Sequence, residues 1–414
     1  MKKIKSKYLL LIFPFLIILG FSLPNNKILE LAKSIEIYAS VLKELDKFYA
    51  EEIQPKELVE NSIESMLEGL DPYTSYYPEE EIDNYLALTT GKYEGIGIVL
   101  NIVDKKFYVF DVEEGSPAEK ANLHIGDQII KVNNEEISGL SQSEVNRLIA
   151  GKSGTKIELT VQSIENQEIR AFDISRSTIH LKNIHYYQLL DEETGIIDLN
   201  EFNHEASNEF KNAFLDLKKQ GMKKLIIDLS SNPGGLLTQA VEICNYFIPK
   251  NKKVVVTKGK REEWNNTYFT INNPLDETIP IIIIIDPNTA SASEILAGVL
   301  QEYDRALILG QKSYGKGLVQ ITRDLPYRTK IKLTTARYYL PSGRCIQKIN
   351  YFNSEITDTT LNYQTQNGRP LTNTGGISPD FQTVAKNFLP FFQFLVEKDL
   401  IFKYTLQNFK NEKD

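Results

Sequence analysis

Three hydroxyl residues, Thr289, Ser291 and Ser293, crowd the stretch NTASASE just ahead of an apolar helical pattern, and further on Lys316 stands between glycines in GQKSYGKG (310–317). A hydroxyl at the head of a helix lies where unpaired N–H groups and the positive end of the helix dipole would stabilise an oxyanion, which makes these residues nucleophile candidates. The same residue types are ordinary helix caps, and the local sequence does not separate the two roles. Lys316 first invites a phosphate-loop reading, which needs Gly, four residues, Gly-Lys-Ser/Thr and a following helix. Gly310, Gly315 and Lys316 fit, but Gly317 replaces the hydroxyl residue and LVQITRDL alternates apolar and polar residues as a strand does. With neither magnesium ligand nor helix, the loop does not read as a nucleotide site.

The elements that must position these residues are strand-loop-helix units. KKLIIDL runs through SSNPGG into LLTQAVEICNYF; PIIIII runs through DPNTA into SASEILAGVLQEY; ALILG runs into QKSYGKG. Continuous apolar strands followed by helices predict an α/β layer around a buried sheet, and chemistry in such sheets collects at the loops after the strands. Upstream, residues 27–70 have helical periodicity and end in turns marked by Asp71-Pro72 and Pro78. From Gly91 short strands take over (GIGIVLNIV, KFYVFDV, DQIIKVNNEEI, KIELTVQ), with one helix predicted over Ser141–Gly151.

Within that strand-rich part, VEEGSPAEKANLHIGDQIIKVNNEEI resembles the centre of PDZ domains of the bacterial, protease-associated type. The resemblance makes Ser116-Pro117-Ala118 the start of a short helix, Gly126-Asp127 a turn, and Gly95, Ile96, Gly97 and Ile98 the loop that receives a peptide's terminal carboxylate. Glycines allow successive N–H groups to point into one anion-binding concavity. Ile96 and Ile98, with Val145 and Ile149 on the helix, are then expected to wall an apolar groove for the last residues of a protein tail.

Downstream, NTASASEILAGVLQEYDRALILGQKSYGKGLVQ is similar over its whole length to the active-site region of the C-terminal processing peptidases, or tail-specific proteases. Their S-A-S-E-I, the Lys 25 positions after the nucleophile and the Gln four positions later fall on Ser291, Lys316 and Gln320. The resemblance therefore implies a serine–lysine dyad with Ser291 as nucleophile and Lys316 as general base, Gln320 orienting the lysine and Ser293 supporting the helix. DLSSNPGG resembles the family's D-L-R-x-N-P-G-G, so Gly235 and Ala292 are expected to supply the oxyanion-hole N–H groups. Two positions depart from the pattern: Ser230 stands where Arg is common, and Glu302 where some members carry Asp. Altered local ion pairing, with activity retained, is the expectation at both.

The fold class implied is α/β multidomain: an N-terminal helical segment, a PDZ domain (a small β-barrel or sandwich with helices), a crotonase/ClpP-like protease core and a C-terminal helical segment. The expected division is 1–23 signal peptide or anchor, 24–90 helical region, 91–165 PDZ domain, 166–385 serine protease core and 386–414 terminal helices. MKKIKSK followed by the fourteen apolar residues from Tyr8 to Phe21 reads as an export signal, cleaved near Ser22 or kept as an inner-membrane anchor, which predicts a periplasmic or cell-envelope location. A net charge of −8 and the lack of a basic cluster beyond the first seven residues exclude a nucleic-acid surface. Cys244 and Cys345 form no metal-ligand pair, and His124, His180, His185 and His204 lack zinc spacing. No metal or cofactor is expected; the partners are protein substrates with exposed apolar C-terminal tails, with a membrane anchor through the N-terminal segment and a homodimer as further options, and the apolar face of the last segment needs a partner surface. Two other readings of the same residues are a catalytically silent PDZ scaffold and an acyl-CoA enzyme, the latter needing carboxylates at the reacting centre.

Overall fold

The computed structural model describes residues 25–351, 355–356, 362–384 and 390–409. The proposed signal segment lies outside them, and among the described residues no helix is long and apolar enough to cross a membrane. Two compact units divide at Gly69 and Leu70. The first contains the helices Asn25–Phe48 and Pro55–Glu68, joined by a hydrogen bond between Tyr38 and Ser62 hydroxyls at 2.5 Å. Ile28, Leu31 and Ile35, at i, i+3 and i+7, leave an apolar stripe of the longer helix exposed.

The second unit is built on a six-stranded sheet in the order Ile184–Leu189, Thr194–Leu199, Lys224–Asp228, Ile281–Ile285, Ala306–Gly310, Phe381–Gln382. The first pair is antiparallel and every later pair parallel. Five consecutive isoleucines suit the central strand, where Ile281, Ile283 and Ile285 enter the core. Expected to be buried on both sides, the sheet is not: Ile282 and Leu307, on the opposite face, remain 39% and 44% exposed. Helices Ala206–Lys219, Leu237–Asn245 and Ala292–Glu302 pack on the buried face through Phe210, Phe214, Ile243, Cys244, Ile295 and Val299. Both cysteines are free thiols. A second sheet carries Leu318–Asp324 paired antiparallel with Lys330–Tyr339, which also receives Ser75–Tyr77 and Lys253–Gly259. LVQITRDL is thus a strand, as its alternation predicts.

The PDZ part has its own core around Phe107, Val109, Ile129, Val145 and Leu159. Its sheet runs Ile98–Val103, Lys106–Val112, Gln128–Val132, Lys156–Gln162, Ile169–Ser175. The last strand pairs with Lys156–Gln162 along its whole length, so the sheet extends beyond residue 165, where the sequence reading ends the domain. That strand alternates poorly, with Ile174 its one fully buried apolar side chain, and so reads as a linking strand after the domain rather than as part of its sheet. Both helices begin where expected, and each is capped: the Ser116 hydroxyl accepts the Glu119 N–H, and Ser141 and Glu144 form a capping box ahead of Gln142–Ile149. Of the C-terminal helices Pro390–Glu397 and Leu400–Asn408, the second meets the PDZ hairpin, Phe402 edge-on to Phe110 at 5.1 Å and Lys403 to Asp104 at 2.6 Å.

Candidate active site

The turn after the isoleucine strand is organised by Asp286. Its carboxylate accepts the N–H groups of Asn288 at 3.0 Å, Thr289 at 2.9 Å and Ser231 at 2.9 Å, tying the DLSSNPGG loop to the head of helix Ala292–Glu302. The three competing hydroxyls then separate. Thr289 is fully buried and donates to the Leu229 carbonyl at 2.8 Å; Ser293 is fully buried and donates to the Asn232 carbonyl at 3.1 Å. Of the three, only Ser291 faces a cleft, one of about 640 Å³. Its backbone, at φ 57° and ψ −116°, is unlike that of an ordinary cap such as Ser141 at φ −74° and ψ 160°. A non-glycine residue in such a conformation costs about 1–3 kcal/mol and persists where packing enforces it.

Packing does enforce it. A Cβ on Gly234 would lie 2.7 Å from the Ala290 carbonyl oxygen and 2.8 Å from the Ala292 nitrogen; one on Gly235 would lie 2.4 Å from the Phe202 carbonyl oxygen. Both glycines also have positive φ, 99° and 146°. The NPGG backbone therefore passes against the Ser291 turn at a distance only glycine allows. Among the described residues, the N–H groups of Gly235 and Ala292 have no hydrogen-bond acceptor in the protein.

Glu294 joins the Ser291 turn to the Lys316 loop. Fully buried, its carboxylate accepts the N–H groups of Ser291 at 2.8 Å, Gly315 at 2.8 Å and Lys316 at 2.9 Å and the Ser313 hydroxyl at 2.5 Å. Burial pushes this carboxyl up to about 7 even though those four bonds favour its charged form. From the other side, the Tyr338 hydroxyl bonds the Ser291 carbonyl at 3.1 Å and the Lys316 carbonyl.

Lys316 Nζ lies 4.4 Å from the centre of the Tyr73 ring. Burial, and then the positive charge of Lys332, bring its ammonium down to about 8, against the opposing pull of Glu294 and Asp71. Tyr73 is itself held by a turn in which Asp71 accepts the N–H groups of Tyr73 at 2.9 Å and Thr74 at 3.0 Å. Gln320 lines the same cleft. The sequence reading has it orient Lys316; instead its amide donates to the Thr334 hydroxyl at 3.3 Å, which in turn donates to Asp71 at 3.1 Å. A register shift between Val319 and Gln320 places Gln320 opposite Thr334 and accounts for the difference. Ser291, Lys316 and Gln320 share the cleft, but among the described residues no hydrogen bond joins the Lys316 ammonium to either of the other two.

Asp71, Tyr73, Glu294, Lys332 and Tyr338 were missed by sequence reasoning. Glu294 alone had a signal, an acidic residue three positions after a helix-capping serine, which could not reveal its bonds to the lysine loop. The two departures from the family pattern both lie away from the cleft. Glu302 forms a buried ion pair with Arg344 at 3.2 Å and accepts Ser342 N–H at 2.8 Å, and the Ser230 N–H donates to Asp228 Oδ1 at 2.9 Å.

In the PDZ part a second cleft, about 760 Å³, is lined by Gly95, Ile96, Gly97, Ile98, Val99 and Leu100 and, across it, by Gln142, Asn146 and Ile149. Ile98–Val103 is an edge strand there, open to an added strand. Val145 is not part of this wall. It is fully buried in the domain core: the groove face is shared by Gln142, Asn146 and Ile149, at i, i+4 and i+7, and Val145 lies about 65° round the helix from the middle of that face, on the core side. Ile96 is fully buried as well. The helix wall is therefore more polar than predicted, and the Gln142 amide donates across the groove to the Leu100 carbonyl at 2.7 Å.

A strained serine at a helix head, two free N–H groups beside it, a lysine of lowered pKa and an attached peptide-binding fold together define a PDZ-bearing serine peptidase. Comparison with known proteins agrees. Residues 193–351 match peptidase family S41 and residues 86–162 the PDZ domain family. A probable CtpA-like serine protease of Staphylococcus aureus (strain COL) is 33% identical over 383 residues, 91% of this chain and 76% of that one. Among solved structures, a photosystem II D1 C-terminal processing protease is similar at 23% identity over 84% of this chain and 87% of that one, with a TM-score of 0.43. The PDZ domain of a carboxy-terminal protease from Vibrio cholerae, in complex with peptide, is 31% identical over 22% of this chain and 99% of that one, with a TM-score of 0.21. The chain belongs to peptidase family S41: it is a serine-type peptidase of the C-terminal processing kind with a PDZ domain.

Proposed function

We propose that this peptidase is exported to the cell envelope, holds substrate proteins by their C-terminal tails in the PDZ groove, and cleaves them with Ser291 as nucleophile and Lys316 as general base. The observation that carries the reading is the exposure of Ser291, alone among the three hydroxyls, on a strained turn in the cleft that also holds Lys316. For reaction the lysine side chain rotates from the Tyr73 ring to the Ser291 hydroxyl. In its neutral form Nζ takes the proton as Oγ attacks the scissile carbonyl, and the Gly235 and Ala292 N–H groups receive the oxyanion. The lysine then protonates the leaving amine, and water attacks the acyl-enzyme to release the product. Gln320 acts through Thr334 and Asp71 on the wall that borders the lysine. Export rests on the basic and apolar character of the first twenty-one residues.

Ser291→Ala and Lys316→Ala are each expected to abolish cleavage of a disordered peptide, since the two groups act as a unit. A serine-reactive phosphonate is expected to label wild-type Ser291. Activity above about a tenth of wild type in either variant would refute the dyad, and a folded wild-type enzyme that the phosphonate does not label would favour a silent PDZ scaffold.

A further inference from the structure

Glu201 also lines the cleft that holds Ser291 and Lys316, and no role in the reaction falls to it. It lies in the short extended stretch after strand Thr194–Leu199. There the Phe202 N–H donates to the Gly234 carbonyl at 3.1 Å, and the Leu236 N–H donates to the Phe202 carbonyl at 2.7 Å. Phe202 is 1% exposed and belongs to the core, so alternation along the extended backbone turns its neighbour Glu201 to the other side, into the cleft. The stretch is pinned further by Asn203, whose N–H donates to Asn183 Oδ1 at 2.9 Å. Glu201 is therefore held one residue away from the backbone that bridges to Gly235.

Among the described residues its carboxylate has neither a hydrogen-bond donor nor an ion-pair partner, although it is half-buried. Burial raises its carboxyl, with only the nearby His185 pulling the other way. A substrate strand laid over Gly235 would remove more of the water that now solvates this charge. An apolar side chain there would leave the carboxylate unpaired, which is costly; an ammonium or guanidinium would offset the loss with a charge-assisted hydrogen bond. Lys316 and Lys332 line the same cleft, and among the described residues neither forms an ion pair with Glu201. Tyr85 and Leu88 line the same cleft and offer apolar surface for the methylene stem of a long basic side chain.

We propose that Glu201 forms a specificity subsite that selects a lysine or arginine side chain of the substrate next to the scissile bond. This rests on the reading of Ser291 as the nucleophile. The test uses the full-length enzyme and one disordered peptide sequence carrying Lys, norleucine or Glu in turn at each position flanking the cleavage site, with cut sites mapped by mass spectrometry. At one position wild type is expected to prefer Lys to norleucine by about tenfold in kcat/KM. Glu201→Gln is expected to bring that ratio close to one, and Glu201→Lys to shift the preference at the same position to Glu. A Lys preference that survives Glu201→Gln, or the lack of any Lys-preferring position in wild type, overturns the subsite while Ser291-dependent cleavage stands. Cleavage that persists in Ser291→Ala overturns the catalytic reading and the subsite with it.

Discussion

Replacing Lys316 by Met should make this protein more stable at neutral pH while abolishing its activity. Methionine keeps the volume of the side chain and removes only the buried charge. In the native state burial and Lys332 bring the ammonium from near 10.5 to about 8; that difference corresponds to about 3 kcal/mol against the charged form. The attraction to Tyr73 is lost in the variant as well, so a net gain of about 1–2 kcal/mol is expected. The sign follows from proton linkage. Because the folded-state pKa is lower than the unfolded one, the unfolded chain binds more protons between about pH 8 and pH 10.5, and wild-type stability rises with pH across that window. The penalty is complete below pH 8 and gone above 10.5, so the advantage of Lys316→Met should shrink over the same interval. Thermal unfolding of both proteins at pH 7 and at pH 10 measures it, and the variant is expected to melt a few degrees higher at pH 7 only. A variant that melts below wild type at pH 7, or whose advantage does not change with pH, would refute the burial of a charged Lys316. The same lowered pKa leaves about one lysine in ten neutral at pH 7, against about one in 2,500 for an unperturbed side chain, which is what the proposed role of Lys316 as a base requires.

The kcat/KM profile should accordingly rise with pH on a limb near 8, and Lys332→Met, by removing the like charge, should move that limb upward and lower the rate at pH 7 about threefold; a limb that stays in place would dissociate Lys332 from the base. Gly234→Ala should reduce kcat by about a hundredfold by pushing the NPGG backbone off the Ser291 turn, with tail-peptide affinity of the PDZ groove unchanged; kinetics and peptide titration on the same preparation check both halves, and near-normal kcat would contradict the tight approach. Amidating the C-terminus of a peptide substrate should lower its cleavage rate more than tenfold, the equivalent of about 1.5–3 kcal/mol for a lost charge-assisted hydrogen bond. Equal rates for free and amidated peptides would remove tail recognition by the Gly95–Ile98 loop and leave the chemistry at Ser291 untouched.

Legibility in the sequence depended on how local the determining physics is. Strands and helices such as Gln142–Ile149 followed from periodicity, because each depends on contacts within a few residues, while the short helix after Ser116 followed from the resemblance. The strand Ile169–Ser175 reads as a linking strand, and its membership in the PDZ sheet was not legible because that is decided by pairing with Lys156–Gln162 rather than by its own weak alternation. Val145 falls in the core and not on the groove because helical phase says which residues lie close on one side of a helix but not where the border between its buried and its groove-facing side runs. The resemblance to the C-terminal processing peptidases, not the local residues, singled out Ser291, Lys316 and Gln320 as one constellation; three hydroxyls at one helix head are equivalent until packing buries Thr289 and Ser293 and leaves Ser291 in a strained backbone. The lysine's lowered pKa, its seat on Tyr73, and the Glu294 and Tyr338 bridges all join segments far apart in the chain. The sequence by itself determined the elements, the glycines and the reactive side chains; only the tertiary structure decided which hydroxyl is free and which charge is desolvated, since burial and strain belong to the assembled fold and to no single segment of it.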